Sequence, residues 1–483
     1  MFAVSKKFNY NLVVIGAGSG GLVASLVAAA VRARVALIEK NKMGGDCLNT
    51  GCVPSKTLIR SARILSDARR AHEFGFKSAQ VDFEFSDVME RVRRTIRAIE
   101  PHDSRSRYES LGVECIDGEA KILSPHEVQV GGRTLTTRSI IVATGAAPVV
   151  PEIPGVESAE FLTSETVWNL KTLPKRFLIL GGGSIGVEMA QAFQRLGSQV
   201  TLVEAGPRIL SREDDDVSES ITQRFRQEGV RVLTSHRALK FEKNSRTKTL
   251  VCLTDAGEVR VEFDQVLLAL GRKARTTGFG LEELGVKLNP PGMVAADAFM
   301  RTNVPNIFVC GDVAGPYQFT HTAAHQAWYA AINSLLNPFK KFKADTSVIP
   351  WATFTDPEIA RVGLNESEAR LKKIPHEVSR YPLADLDRAI TDGETHGFIK
   401  VLTRPGTDRI LGVTIVGAHA SDAIAEFVLA MKNGLGLRKI LGTIHIYPTY
   451  AEMNKSAASQ WLRAHRPEWA LKLAERFHTW RRG

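Results

Sequence analysis

Twice along the chain an apolar, strand-like run ends in glycines spaced G-x-G-x-x-G, and twice an acid follows at the same distance. Residues 11–15 read as a buried parallel strand and lead into Gly16, Gly18 and Gly21. A small-residue helix, a strand at 34–38 and then Glu39, eighteen residues after Gly21, complete the unit. Residues 176–180 lead into Gly181, Gly183 and Gly186, a helix from about 185 to 196, a strand at 199–203, and Glu204, again eighteen residues after the last glycine. The first two glycines permit a tight turn and close approach of backbone to a pyrophosphate. The third lets helix and strand pack closely, while the helix N-terminus offers unpaired N–H groups to phosphate and the acid is placed for a ribose hydroxyl. One such fingerprint is weak. Two in full strand–helix–strand context predict two dinucleotide-binding folds.

At 483 residues the chain is expected to hold about three domains at roughly 100–200 residues each. Its 44% apolar and 24% charged residues argue against disorder. Further strand-plus-glycine segments end at Thr144–Gly145, at Gly271 and at Gly311–Asp312. Pro148, Pro151 and Pro154 mark a crossing between domains. From about residue 351 shorter strands and connecting helices suggest a further domain. Residues 11–31 carry no charge over about the length of a bilayer helix, but their glycines fit a phosphate loop better, so a cytoplasmic protein without a targeting segment is expected.

Five cysteines are odd in number and too few for a secreted disulfide framework. Cys115, Cys252 and Cys310 sit in apolar or strand-like surroundings and read as core fillers. Cys47 and Cys52 differ. Four residues separate them on an expected turn, after Gly44 and Gly45 and before a helical pattern. A small disulfide ring can close there, and a helix dipole would lower a thiol pKa. Half of a zinc site or an inert bridge are the alternatives, but no second cysteine pair supplies the remaining zinc ligands, and no resident metal is expected.

The run from Gly44 to Lys56, GGDCLNTGCVPSK, together with the two fingerprints and the Cys310-Gly311-Asp312 segment, resembles the flavoprotein (pyridine nucleotide) disulfide oxidoreductases of class I over nearly the whole chain. This implies an α/β protein with two Rossmann-like domains, for FAD and NAD, plus a C-terminal α+β dimerisation domain. The segments expected are FAD-binding 1–157, NAD(P)-binding 158–277, FAD-binding again 278–348, interface 349–466 and a basic amphipathic tail 467–483. The resemblance implies a homodimer, FAD on the first fingerprint with Glu39 on its adenosine ribose and Asp312 near its ribityl chain, and a nicotinamide cofactor on the second. Thr144, Gly145, Gly271 and Gly311 would approach the nucleotides. Cys52 would be the thiolate against the flavin and Cys47 the interchange thiol, with Lys56 paired to Glu188 near the reactive flavin nitrogen. Two solvated helix charges are the alternative for that pair. Glu204 favours NADH over NADPH, because a carboxylate repels a 2′-phosphate. Arg208 would partly compensate.

One position departs from the disulfide-reducing members. They place His before a proline with Glu five residues on; here Tyr447 precedes Pro448, Glu452 follows, and His445 stands two residues early. Tyrosine shuttles protons poorly at neutral pH. In a strand, positions 445 and 447 would face the same way, so His445 could approach the site; a packed or surface histidine is the alternative. Mercuric reductase also carries Tyr there, and the stretches at 211–214, 387–389 and 395–400 are similar to its own. A soft metal ion taken by two thiolates needs no protonated leaving group. That enzyme's vicinal C-terminal cysteines and N-terminal metal-capturing domain, however, have no counterpart here. The expected acceptor is therefore a metal ion or another small molecule. A dihydrolipoamide dehydrogenase-like enzyme, or an electron-transfer flavoprotein docked to a membrane partner, are the alternatives. No nucleic-acid partner is expected. Of the net charge of +11, +5 lies in the last thirty residues. There Trp469, Leu473, Phe477 and Trp480 repeat at helical spacing among Arg463, Arg466, Lys472, Arg476, Arg481 and Arg482. Such a helix suits a dimer surface, an anionic membrane or a partner protein.

Overall fold

Alternating β-branched and glycine-punctuated runs set the architecture of the computed structural model, which describes residues 8–245 and 247–483. The start of the expected 1–157 segment lies outside the described residues. The chain divides into two compact units. One comprises the residues up to Ser66, Gln80–Ala205 and Ser235–Asp345; the other comprises Asp67–Ala79, Gly206–Thr234 and Thr346–Gly483.

In the first unit, strand Tyr10–Ile15 is flanked in parallel by Val35–Glu39 and by the C-terminal half of Arg133–Val142; Val113–Asp117 and Ile307–Val309 extend the sheet on either side. Parallel strands covered on both faces must be apolar throughout, which is why Leu12, Val13 and Val14 are fully buried. The N-terminal half of Arg133–Val142 instead pairs antiparallel with Glu127–Val130. Helix Ser19–Ala30, rich in alanine, packs on helix Thr320–Leu336 through small residues, and a Cβ on Gly20 would lie 3.1 Å from Cys310 Sγ.

The second fingerprint repeats the plan. Gln265–Leu268, Arg176–Leu180 and Gln199–Val203 are parallel, with helix Ser184–Leu196 following the glycine loop. Phe177 and Phe193 lock helix to sheet with ring centroids 4.5 Å apart. Where the prolines mark a crossing, outgoing Ala146–Pro148 pairs with returning Arg272–Ala274.

The second unit holds a five-stranded sheet in the order Pro350–Thr353, Glu358–Gly363, Ile410–Gly417, Phe398–Thr403, Glu377–Pro382. Helices Ala420–Lys432 and Glu452–Ala464 bury Phe427, Met453 and Trp461 in its core. Among the described residues no helix is long and apolar enough to cross a membrane.

Candidate active site

Two glycine loops carry the same internal bond. The Ala17 N–H donates to Glu39 Oε2 at 2.6 Å, and the Gly182 N–H donates to Glu204 Oε2 at 2.7 Å. Each acid thus braces its loop with one oxygen. Gly16 and Gly181 have φ of +101° and +112°, and a Cβ on either would lie 2.4 Å from a carbonyl oxygen, of Ala143 or Ala269. Gly21 and Gly186 pack tighter still, against the carbonyls of Gly16 and Gly181. Gly183, Gly145 and Gly271, in contrast, have nothing within 4 Å of an added Cβ. Neither following helix has a side-chain cap at its N-terminus. Glycines forced by backbone beneath and open space above make a cradle that fits a dinucleotide.

The thiol segment is seated on the first of these loops. The Gly44 N–H donates to the Ala17 carbonyl at 2.9 Å, and a Cβ on Gly45 would come within 2.6 Å of Gly18 Cα. Cys47 was expected on a turn; it lies instead in a short helix of its own, Gly45–Asn49, whose last residue uses its side-chain amide to bond the carbonyls of Met43 and Gly45. Cys52 is the first residue of helix Cys52–Arg69. The Trp168 indole N–H donates to the intervening Thr50 carbonyl at 2.8 Å.

Both cysteines are free thiols, and they share a hydrogen bond. Cys52 is lowered to about 6, first by that bond from Cys47 and then, against the cost of burial, by the Thr320 hydroxyl 3.4 Å away and the Lys56 charge. Cys47 moves the other way, because it donates to Cys52 and is half-buried. The pair therefore carries one thiolate, on the residue at the helix start, where the dipole favours an anion. Burial raises Cys310 to about 12, and Cys115 and Cys252 to about 11, as expected of core thiols.

Lys56 Nζ reaches Glu188 Oε2 at 2.8 Å across 132 residues of chain; the lysine is one-third exposed, the acid nearly buried. Asp312 is pushed above the usual carboxylate range by burial, opposed by the Arg272 guanidinium at 3.6 Å. Arg272 also bonds Asp46, the neighbour of Cys47. The Gly311 N–H donates to Gln326, and the Thr144 hydroxyl donates to the Arg275 carbonyl at 2.7 Å. Thr320, Arg272 and Asp46 were not singled out from sequence. Thr320 belongs to no motif, whereas the position of Arg272 directly after a nucleotide-facing glycine was an available signal.

The C-terminal candidates lie in the second unit. Residues 444–446 form an irregular loop, not a strand, so His445 and Tyr447 do not share a face. His445 is turned in, with Nε2 3.1 Å from the Glu426 carboxylate and Nδ1 3.0 Å from the Thr443 carbonyl. Tyr447 is turned out, and its hydroxyl donates to Asp387 at 2.9 Å, which raises its pKa. Glu452 receives the Thr449 N–H at 3.4 Å. Arg208 is engaged by the carbonyls of Ser211 and Glu213 and by Asp215 at 2.6 Å.

A redox-poised thiol pair on a dinucleotide cradle, beside a second cradle of the same build, defines a flavin- and nicotinamide-dependent oxidoreductase, and the family models agree. Residues 10–327 match the pyridine nucleotide-disulphide oxidoreductase model and residues 349–458 its dimerisation domain, so the chain belongs to this family, whose cofactors are FAD and NAD(P)H. Among its relatives, a dihydrolipoyl dehydrogenase of Chlamydia trachomatis is 37% identical over 449 residues, covering 92% of this chain and 95% of that one. A mercuric reductase of Staphylococcus aureus is 33% identical over 450 residues, covering 93% and 82%. The solved HOCl-induced flavoprotein disulfide reductase RclA of Escherichia coli superposes with a TM-score of 0.83 at 28% identity, covering 93% and 99%; a Cu(II) complex of RclA superposes at 0.82, covering 92% and 98%.

Proposed function

We propose that this enzyme takes electrons from NADH and delivers them through the Cys47–Cys52 couple to a soft or redox-active metal ion. Bound FAD supplies the two-electron relay between nicotinamide and sulfur. The first glycine loop with Glu39 and Asp312 would hold the FAD, and the second with Glu204 would hold the nicotinamide. The segments 1–157 and 278–348 would form the FAD domain, 158–277 the nicotinamide domain and 349–466 the interface of a homodimer.

One observation carries the choice of acceptor: the residue before Pro448 is a tyrosine whose pKa is raised by its bond to Asp387. A group protonated throughout the neutral range cannot accept and return a proton as an imidazole does. Reduction of a dithiol substrate's disulfide requires that traffic. Transfer to a captured metal ion does not. Cys47 gives up its proton to solvent as its sulfur takes the metal, and the two sulfurs then close to a disulfide and release two electrons, reducing one divalent mercury ion to the metal or two Cu(II) ions to Cu(I). The names of the mercuric reductases and of the Cu(II) complex of RclA support this reading.

The dihydrolipoyl dehydrogenases among the relatives favour a second reading, dithiol–disulfide exchange. Rapid mixing of NADH-reduced enzyme with Hg(II), Cu(II), lipoamide, glutathione disulfide and a quinone distinguishes the two. Reoxidation by a metal ion at least about a hundredfold faster than by any disulfide is expected, the low end of what one general acid–base group contributes. Faster reoxidation by lipoamide would overturn the proposal. Tyr447→His is expected to raise disulfide turnover while leaving metal reduction nearly unchanged.

A further inference from the structure

The Glu468–Arg482 helix buries none of its residues and lies beyond residue 458, where the dimerisation-domain match ends. Trp469, Leu473, Phe477 and Trp480 are 50–76% exposed. At about 100° per residue they fall within an arc of roughly 80°. Large aromatic side chains held in water along one face are costly unless something covers them.

The charges say what covers them. On the same projection Lys472, Arg476 and Arg481 flank the aromatic arc within roughly 100° of its centre, whereas Glu468 and Glu475 fall roughly 140–160° away. The Arg481 guanidinium lies 5.9 Å from the Phe477 ring, so its stem follows the apolar face while its charge stays at the edge. Arg482, the last residue of the helix, falls on the far side with the acids; the other three of the helix's four cations stand at the rim, and they match a surface that is apolar within and negative at its boundary. A second copy of the helix laid face to face would oppose these three cations to their own likeness, which disfavours self-pairing.

We infer that this helix is an interfacial anchor that lies on anionic lipid bilayers, with Trp469, Leu473, Phe477 and Trp480 in the acyl boundary and Lys472, Arg476 and Arg481 among the headgroups. The inference is independent of the electron acceptor. It is tested by flotation of the full-length, flavin-loaded protein with vesicles of phosphatidylcholine alone or with about 30 mol % phosphatidylglycerol. Flotation with the anionic vesicles only, weakened by salt, is expected. The triple variant Lys472→Ser, Arg476→Ser, Arg481→Ser should lose on the order of 100-fold in partitioning, from the usual contribution of each basic residue near an anionic surface. Trp469→Ala with Trp480→Ala should abolish flotation, while flavin content and NADH-driven dye reduction stay at the parent level in both variants. No flotation with anionic vesicles, equal flotation with neutral ones, or variants that float like the parent would each overturn the inference. A concentration-dependent doubling of the homodimer's mass that Trp469→Ala removes, without any vesicle binding, would assign the face to a further copy of the chain instead.

Discussion

At Cys52 the competition between burial and polar contact is won by polar contact: the thiol donated from Cys47, the Thr320 hydroxyl and the Lys56 charge together hold its pKa near 6. The thiolate of the reduced pair thus predominates at neutral pH and is lost as pH falls through about 6. The long-wavelength absorbance that a thiolate gives against oxidised flavin should follow that midpoint. Thr320→Val removes one donor and should move the midpoint up by roughly one pH unit, and Cys52→Ser should abolish the band. An unchanged midpoint in Thr320→Val would show that the 3.4 Å contact does not act on the sulfur. Glu204 carries the second residue-scale expectation. Its carboxylate is held by the Gly182 N–H and repels a 2′-phosphate, so kcat/KM should favour NADH over NADPH. Glu204→Ala should narrow that preference by at least about tenfold, as loss of one charged contact does.

The elements most legible in the sequence were those whose period or punctuation is enforced by close backbone packing. Arg176–Leu180 and Gln199–Val203 have the bounds their apolar runs suggested, and each glycine loop sits where its spacing required. Less legible were elements decided by local hydrogen bonds without a periodic signature. The Asn49 amide folds the Cys47 segment into a helix turn, and the Glu426 carboxylate draws His445 inward from a stretch that alternates like a strand. The glycine of the thiol segment offers a direct test. Gly45 combines φ +56° with backbone 2.6 Å from its would-be Cβ, whereas Gly75 has φ +83° and open space. Gly75→Ala should cost only the left-handed strain, about 1 kcal/mol. Gly45→Ala should cost more than twice that and reduce flavin content, because the thiol segment must shift off the first loop. Equal melting temperatures for the two variants would show that the loops are not in register.

The sequence order of the whole molecule conceals how its second unit is assembled, because Gly206–Thr234 belongs with residues more than a hundred positions further on. The stretches at 211–214 and 395–400 meet here. Lys400 Nζ, 2% exposed, lies 2.8 Å from Asp214, 2.9 Å from Asp216 and 3.2 Å from Glu366. Burial alone would lower the lysine, but its bonds to Asp214 and Asp216 outweigh that and leave it raised; Asp214, opposed by burial, is lowered in return by Lys400 and the Ser367 N–H. A raised lysine stabilises the fold below its unfolded pKa, and a lowered aspartate stabilises it above its own. The cluster therefore contributes across neutral pH and fails on acidification through the folded pKa of Asp214. Lys400→Met should cost about 3–5 kcal/mol, the usual result of leaving buried charge unpaired. Its sign with pH should also reverse. Without the cation Asp214 is left buried beside two further carboxylates, its pKa rises above the unfolded one, and the variant should gain stability in urea between pH 7 and pH 5, where the parent does not. A variant that loses stability over that interval would show that the carboxylates are stabilised by something other than Lys400.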